Sequence, residues 1–287
     1  MIVYTLCSTK GGVGKTTLAA NMGGLLADLG LRVLMIDADI QPSLSKYYET
    51  KSKAPVGLYD VVTRGSVTEN AISTTVIDNL DLIYSDATPE TNNGEANLQN
   101  WLASKFDSFL RIRMALKSPV VTENYDVVII DTQGAQGPLQ DAAILAADQL
   151  IAPIPPSIID AREFYTSTIN LLNRFDTDIT RCGPLKAVLY RMDRTKNAKV
   201  IAGEIRKDFI KMQGRVDVLE TAIPAAKAYT EAATGRTPVH LYDSVRTGAS
   251  ACAAEVMMDF VFELIPSLRT LIDGSDGVEA GSPSEGV

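Results

Sequence analysis

Apolar residues along this chain gather into short runs that alternate with stretches of helical period, the pattern of strand–helix–strand units feeding a parallel sheet. Residues 2–8 form a short β-rich run. Over residues 16–29, Leu18, Met22, Leu25, Leu26 and Leu29 recur at helical spacing, and Gly30 marks the stop. Residues 31–37, 80–84, 125–131, 149–154 and 185–190 are further short hydrophobic runs, most of them apolar without alternation, as strands covered on both faces require. Helices are predicted over 95–116, 158–175 and 198–212, and a last one over 248–272 is interrupted by Pro266.

These elements predict an α/β fold: a single-domain, doubly wound, mostly parallel sheet with flanking helices, occupying residues 1–272. Residues 273–287 are rich in Gly, Ser and acids without periodicity and read as a disordered tail. No repeat and no shift of composition divides the rest.

Composition adjusts this picture only slightly. A chain of 287 residues, 46% hydrophobic and 22% charged, buries a full core. Its 27 basic and 35 acidic side chains give a net charge of -8, which argues against a surface coated in positive charge. Cys7, Cys182 and Cys252 are widely spaced, with neither a zinc pair nor a disulfide framework to read, so a reducing compartment fits. The single His240 cannot build a histidine metal cluster and reads as structural. No targeting segment is visible, and the richest apolar stretch, 142–156, carries Asp148, Gln149 and three prolines. It falls short of the ~20 apolar residues of a spanning helix, so a soluble, cytoplasmic protein is expected, with no membrane partner.

Candidate chemistry begins after the first run, at Lys10-Gly11-Gly12-Val13-Gly14-Lys15-Thr16-Thr17. Glycines let a backbone wrap until its N–H groups point at phosphate oxygens, and the N-terminus of the following helix adds positive dipole there. Lys15 then reaches the β and γ phosphates, and the Thr16 hydroxyl ligates Mg²⁺. The general phosphate-loop pattern places its first glycine where this chain has Thr9. A second strand ends in Asp37-Ala38-Asp39, followed by Gln41 and Pro42, at the sheet edge where ligands of open α/β sheets bind. A third, Asp126 to Asp131, is an apolar run closing on a carboxylate, which needs a cation or donors once buried.

The Lys-Gly-Gly-x-Gly-Lys-Thr form resembles the deviant Walker A loop of the ParA/MinD superfamily. The resemblance to ParA/Soj-type DNA partition ATPases extends over about residues 1–265, including Ala147-Asp148 to Pro153 and Thr221-Ala222-Ile223-Pro224. It implies ATP and Mg²⁺ as cofactors, with Lys10 reaching across an ATP-bound sandwich homodimer to the partner's phosphates. Lys10, Lys15 and Asp39 are the implied catalytic residues. Asp39 orients the attacking water and supports the metal shell, Thr16 and Asp131 complete the metal set, and Pro224 contacts adenine. The chain departs from the family at Asp39-Ile40-Gln41-Pro42, where the proline is displaced, and at Gln133-Gly134, which stand where two prolines usually follow the metal aspartate.

Charge selects within the superfamily. Between Arg181 and Arg215 ten basic residues face three acids, while the rest of the chain has a net charge of -15. Lys199, Arg206, Lys207 and Lys211 share one helical sector, with Ile201, Ile205, Phe209 and Met212 on another. With Lys196 and Arg215 they are the candidate DNA-binding residues, suited to nonspecific, salt-sensitive contact with phosphates. The resemblance therefore implies a partition ATPase associated with the nucleoid, released from DNA when a ParB-like centromere-binding protein stimulates hydrolysis. Two other readings share the phosphate loop: a metabolic ligase of the dethiobiotin-synthetase type, and an ATP-binding regulator whose turnover is incidental.

Overall fold

The computed structural model describes residues 1–275 apart from 89, 93, 95, 176, 178, 179, 194 and 211–214. Nine strands form one sheet: β1 (Ile2–Leu6), β2 (Val33–Ala38), β3 (Thr50–Ser52), β4 (Ser73–Thr75), β5 (Leu80–Ile83), β6 (Val127–Thr132), β7 (Gln149–Ile154), β8 (Leu185–Met192) and β9 (Val216–Pro224). Their spatial order is β3-β4-β5-β2-β6-β1-β7-β8-β9. In that order the strands from β5 to β9 run parallel, and the antiparallel pairings are β3 with β4 and β4 with β5 at one edge.

Around the sheet lie α1 (Lys15–Asp28), α2 (Leu58–Arg64), α3 (Leu98–Ala103), α4 (Arg111–Ala115), α5 (Pro119–Thr122), α6 (Pro138–Ala146), α7 (Ile158–Phe175), α8 (Lys196–Ile210), α9 (Lys227–Thr234), α10 (Val239–Tyr242), α11 (Ala253–Leu264) and α12 (Pro266–Ser275). Every residue of β2 and β6 is buried, as expected of strands covered on both faces. One apolar cluster joins α1, α11 and one face of the sheet through Leu18, Met22, Leu26, Met35, Ile129 and Phe260. A second joins the opposite face to α2, α4 and α6 through Leu34, Ile36, Val62, Ile112, Ile130 and Leu139. The sheet is thus the middle of three layers, and its central strands carry their ends into the site. Among the described residues no helix is long and apolar enough to cross a membrane.

Two segments differ from the sequence expectation. The helix expected over 95–116 is broken into α3, a 3-10 turn at Ser108–Leu110 and α4. The Asn97 side chain caps α3 by accepting from the Gln99 and Asn100 amides at 3.0 and 3.4 Å, and the Ser104 hydroxyl closes it on the Trp101 carbonyl at 2.7 Å. Local polar side chains therefore override the apolar period.

The stretch from Val216 to Pro224 is a full strand, which is not among the strands the hydrophobic pattern predicts. Its pairing with β8 shifts register at mid-length. There the Arg206 guanidinium donates to the Leu219 and Glu220 carbonyls, while the Glu263 carboxylate accepts from the Glu220 and Thr221 amides at 2.7 and 2.8 Å. The backbone groups released by the shift are thereby satisfied from α8 and α11. At the C-terminus α12 runs to Ser275, three residues past the expected domain boundary, and 276–287 lie outside the described residues.

Candidate nucleotide site at the carboxyl ends of the central strands

β1 ends at Leu6, and the chain turns through the glycine-rich loop into α1. Gly12 and Gly14 sit in the left-handed region at φ 73° and 96°, conformations that favour glycine. Gly14 is the N-cap of α1 and brings no side chain to it, leaving the first helical amides to an anion. Val13 is buried and anchors the loop, whereas Gly11 and Gly12 face solvent. Lys15 is almost fully buried, at 7% exposure, in the first turn. A methyl on Gly14 would lie 2.1 Å from the Tyr190 ring, so the end of β8 packs directly on the loop.

β2 and β6 are adjacent, and their ladder sets Asp37 opposite Asp131. Both carboxylates are wholly buried. Burial first, and then the charge of Asp37, push the Asp131 carboxyl up to about 8, against the Thr16 hydrogen bond and the Lys15 charge. Burial likewise pushes Asp37 up to about 7, although Ser45 and the Asp39 amide donate to it. The Thr16 hydroxyl donates to Asp131 Oδ2 at 2.6 Å, and Asp131 Oδ1 is buried without a partner among the described residues. Asp39 is the first residue past β2, half-buried, with Oδ1 accepting from the Gln41 amide at 2.9 Å.

The loop after β6 lies over the phosphate loop. A methyl on Gly134 would come within 2.8 Å of Gly11 Cα and N, closer than side chains approach backbone. The Gln140 amide bridges the two loops, donating to the Ser8 and Gln133 carbonyls at 3.0 and 3.1 Å. Lys10 projects outward and pairs with Glu163 of α7 at 3.5 Å, with 49% of its side chain exposed.

Beside the loop opens a cavity of about 510 Å³, lined by Thr17, Tyr190, Arg191, Pro224, Lys227 and Tyr229 among others. Its size suits a ligand with one face against apolar groups. Pro224, expected at the adenine, lies on its wall. The structure therefore gathers Lys15, Thr16, Thr17, Asp39, Asp131 and Pro224 around one end of the sheet, with Lys10 at its outer rim.

Asp37 and Tyr190 belong to the same place and had not been assigned a role. For Asp37 the signal was present, as the first carboxylate of Asp-x-Asp. For Tyr190 there was none in the local sequence.

The basic candidates lie elsewhere. Lys196, Lys199 and Lys207 are exposed on α8, and Arg215 is exposed before β9, where it donates to Asn173 at 3.1 Å. Arg206 differs, since its guanidinium is turned onto the β9 carbonyls. Lys211 lies outside the described residues.

The family described as an AAA domain matches residues 1–180, more than half of the chain. Soj, the sporulation initiation inhibitor protein of Bacillus subtilis, is 29% identical, covering 91% of this chain and 97% of its own length. The chromosome partitioning protein ParA of Caulobacter vibrioides is 29% identical, over 87% of this chain and 90% of its own. The chain belongs to the ParA/MinD superfamily of P-loop ATPases.

The fold agrees: an ATP complex of Cyanothece McdA superposes with a TM-score of 0.72 at 21% identity, covering 95% of this chain and 96% of that one. The sheet of this chain places the carboxyl ends of β1, β2 and β6 side by side. In this chain those ends bring a buried lysine, a hydroxyl and two buried carboxylates to one phosphate-sized turn.

Proposed function

We propose that this chain is a Mg²⁺-dependent ATPase that partitions DNA. The observation that carries the reading is the group formed by Lys15, Thr16, Asp37 and Asp131 at the N-terminus of α1. Among the described residues, two carboxylates held without solvent have only Thr16, Ser45 and the Asp39 amide as donors, and Asp131 Oδ1 has none. A divalent cation would supply what that oxygen lacks. The residues fit the group: Thr16 and Asp131 would hold the cation, with Asp39 supporting its shell. Bound there, Mg²⁺ would neutralise charge developing on the phosphates.

The protein's own contribution is positioning. Loop amides and Lys15 cradle the phosphates, Asp39 aligns the attacking water, and the cavity walled by Pro224 takes the base. Lys10, exposed at the rim, reaches the phosphates bound by a second copy, so ATP binding and pairing of two copies are one event. The ATP-bound pair holds DNA nonspecifically through Lys196, Lys199, Lys207 and Arg215. A ParB-like protein stimulates hydrolysis and releases it, on the nucleoid in the cytoplasm.

The deciding measurement is ATP turnover with and without DNA and a candidate ParB-like protein. Turnover raised by both is expected. Asp39→Ala then gives a species that stays on DNA with ATP bound and hydrolyses it poorly. Normal turnover by that variant would refute the role of Asp39. Turnover that ignores DNA and needs a small carboxylate substrate would favour the ligase reading instead.

A further inference from the structure

We propose that Ser45 and Ser85 are positioning residues that set the turnover rate through Asp37 and Asp39 without contacting the nucleotide, an inference that rests on the ATPase reading above. Ser45 donates twice to one oxygen, Asp37 Oδ2, from its amide at 2.7 Å and its hydroxyl at 2.6 Å. The same hydroxyl accepts the Ser85 amide at 2.9 Å, and the Ser85 hydroxyl donates to the Asp39 carbonyl at 2.5 Å. The other oxygen of Asp37 accepts the Asp39 amide at 3.3 Å. These bonds close a circuit between the ends of β2 and β5, which are neighbours in the sheet.

The circuit holds the Asp39 backbone at both ends, its N–H on Asp37 and its C=O on Ser85. The carboxylate of Asp39 extends from a turn one residue past the strand, where no regular ladder fixes its direction. Its aim is set by that clamped backbone together with the Gln41 amide, which donates to its Oδ1 at 2.9 Å. Positioning a water-aligning carboxylate within a few tenths of an ångström matters for rate far more than for substrate affinity. Neither serine lines the 510 Å³ cavity beside the phosphate loop. Both line a separate cavity of about 410 Å³, shared with Lys46, Lys53 and Tyr84. Loss of either hydroxyl therefore disturbs the carboxylates while leaving the nucleotide's own contacts in place.

The test compares Ser45→Ala, Ser45→Thr, Ser85→Ala and the double alanine variant, with wild type and Asp39→Ala in the same series. ATP affinity is read by calorimetry, kcat and KM from steady-state hydrolysis with DNA present, and folding from the melting temperature. Removing a hydrogen bond to a charged group is expected to cost Ser45→Ala about tenfold or more in kcat, with ATP affinity within about twofold. Ser45→Thr keeps the hydroxyl, and its methyl has room on the cavity side, so kcat returns to within about threefold of wild type. Ser85→Ala falls by a smaller factor, and the double variant is little slower than Ser45→Ala alone, because both act through one circuit.

A Ser45→Ala kcat within about twofold of wild type overturns the proposal. So does a Ser45→Thr variant as slow as Ser45→Ala when both melt like wild type, or a loss confined to ATP affinity. A wild type without turnover under any condition removes the ATPase reading itself, whereas wild-type turnover indifferent to the serines removes only this proposal.

Discussion

Asp37 and Asp131 stand opposite one another as register partners at the carboxyl ends of β2 and β6, and neither is exposed to solvent. Two like charges this close, with little water to screen them, each favour the protonated form of the other. The pair is the electrostatic centre of the site, and it makes the nucleotide-free protein sensitive to pH.

Asp37 titrates near 7 and Asp131 near 8 in the folded chain, both raised from the ordinary carboxylate value of 3.8. Between about pH 4 and 7 the unfolded chain has lost both protons while the folded chain retains them, and Asp131 keeps its proton up to about 8. Their contribution is therefore most favourable at about pH 4 and is lost as pH rises through 7 to 8. Asp131→Asn removes the larger part of this dependence. Its melting temperature relative to nucleotide-free wild type is expected to climb from pH 5 to pH 8 in a calorimetric series. A difference that stays constant with pH would show that burial of Asp131 carries no such cost.

Thr16 is the single side-chain donor to Asp131 among the described hydrogen bonds. Thr16→Ala leaves both Asp131 oxygens unpaired in a wholly buried place, where an unmet polar group costs about 1–3 kcal/mol. The nucleotide-free variant is expected to lose that much in urea unfolding, and Thr16→Ser to lose little. Equal stability of wild type and Thr16→Ala would mean that the Asp131 carboxyl is satisfied by other means.

The parts legible in the sequence are those whose physics is local. The glycine-rich loop declares itself because Gly12 and Gly14 need left-handed backbone and Lys15 follows at once. Asp131 is legible because a carboxylate closing an apolar run is costly without a partner. Asp37 escaped because its importance comes from standing beside Asp131, ninety-odd residues later, and register is not written in either strand. Tyr190 and Ser85 escaped for the same reason, since each reaches the site from another strand of the sheet, whereas Ser45 turns back onto Asp37 from the 3-10 turn that follows β2. The break in the helix expected over 95–116 escaped because a cap at Asn97 and a closing Ser104 compete with periodicity only at single positions. The role of Arg206 could not be separated from that of Lys207 by helical spacing alone, since both fall in one sector.

Gly134 rests against the backbone of Gly11, and any side chain must push the two loops apart. Overpacking of this kind costs about 1–3 kcal/mol where the neighbour is backbone and cannot turn away. The loop after β6 also carries Gln133, whose carbonyl is tied to Ser8 through Gln140. Gly134→Ala is therefore expected to lower ATP affinity by about tenfold, with a smaller loss of stability, because the phosphate loop rather than the core absorbs the displacement. Calorimetric titration with ATP and Mg²⁺ reads the effect directly, and unaltered affinity would show that the loops separate when nucleotide enters.

Lys199 and Lys207 are exposed on α8, while Arg206 between them is committed to the Leu219 and Glu220 carbonyls. The two kinds of residue are expected to fail differently. Reversing both lysines to glutamate removes two phosphate contacts, lowers DNA affinity and reduces the salt slope of binding by about 2, with ATP binding unchanged. Arg206→Gln instead leaves the Leu219 and Glu220 carbonyls, at the register shift of β8 and β9, short of their guanidinium donor, so it destabilises the fold before it affects DNA. Fluorescence anisotropy on DNA of unrelated sequences, repeated across salt concentrations, measures the first effect, and urea unfolding the second. A salt slope unchanged by the double reversal would remove α8 from the DNA interface. A stable Arg206→Gln variant with weakened DNA binding would return that residue to it.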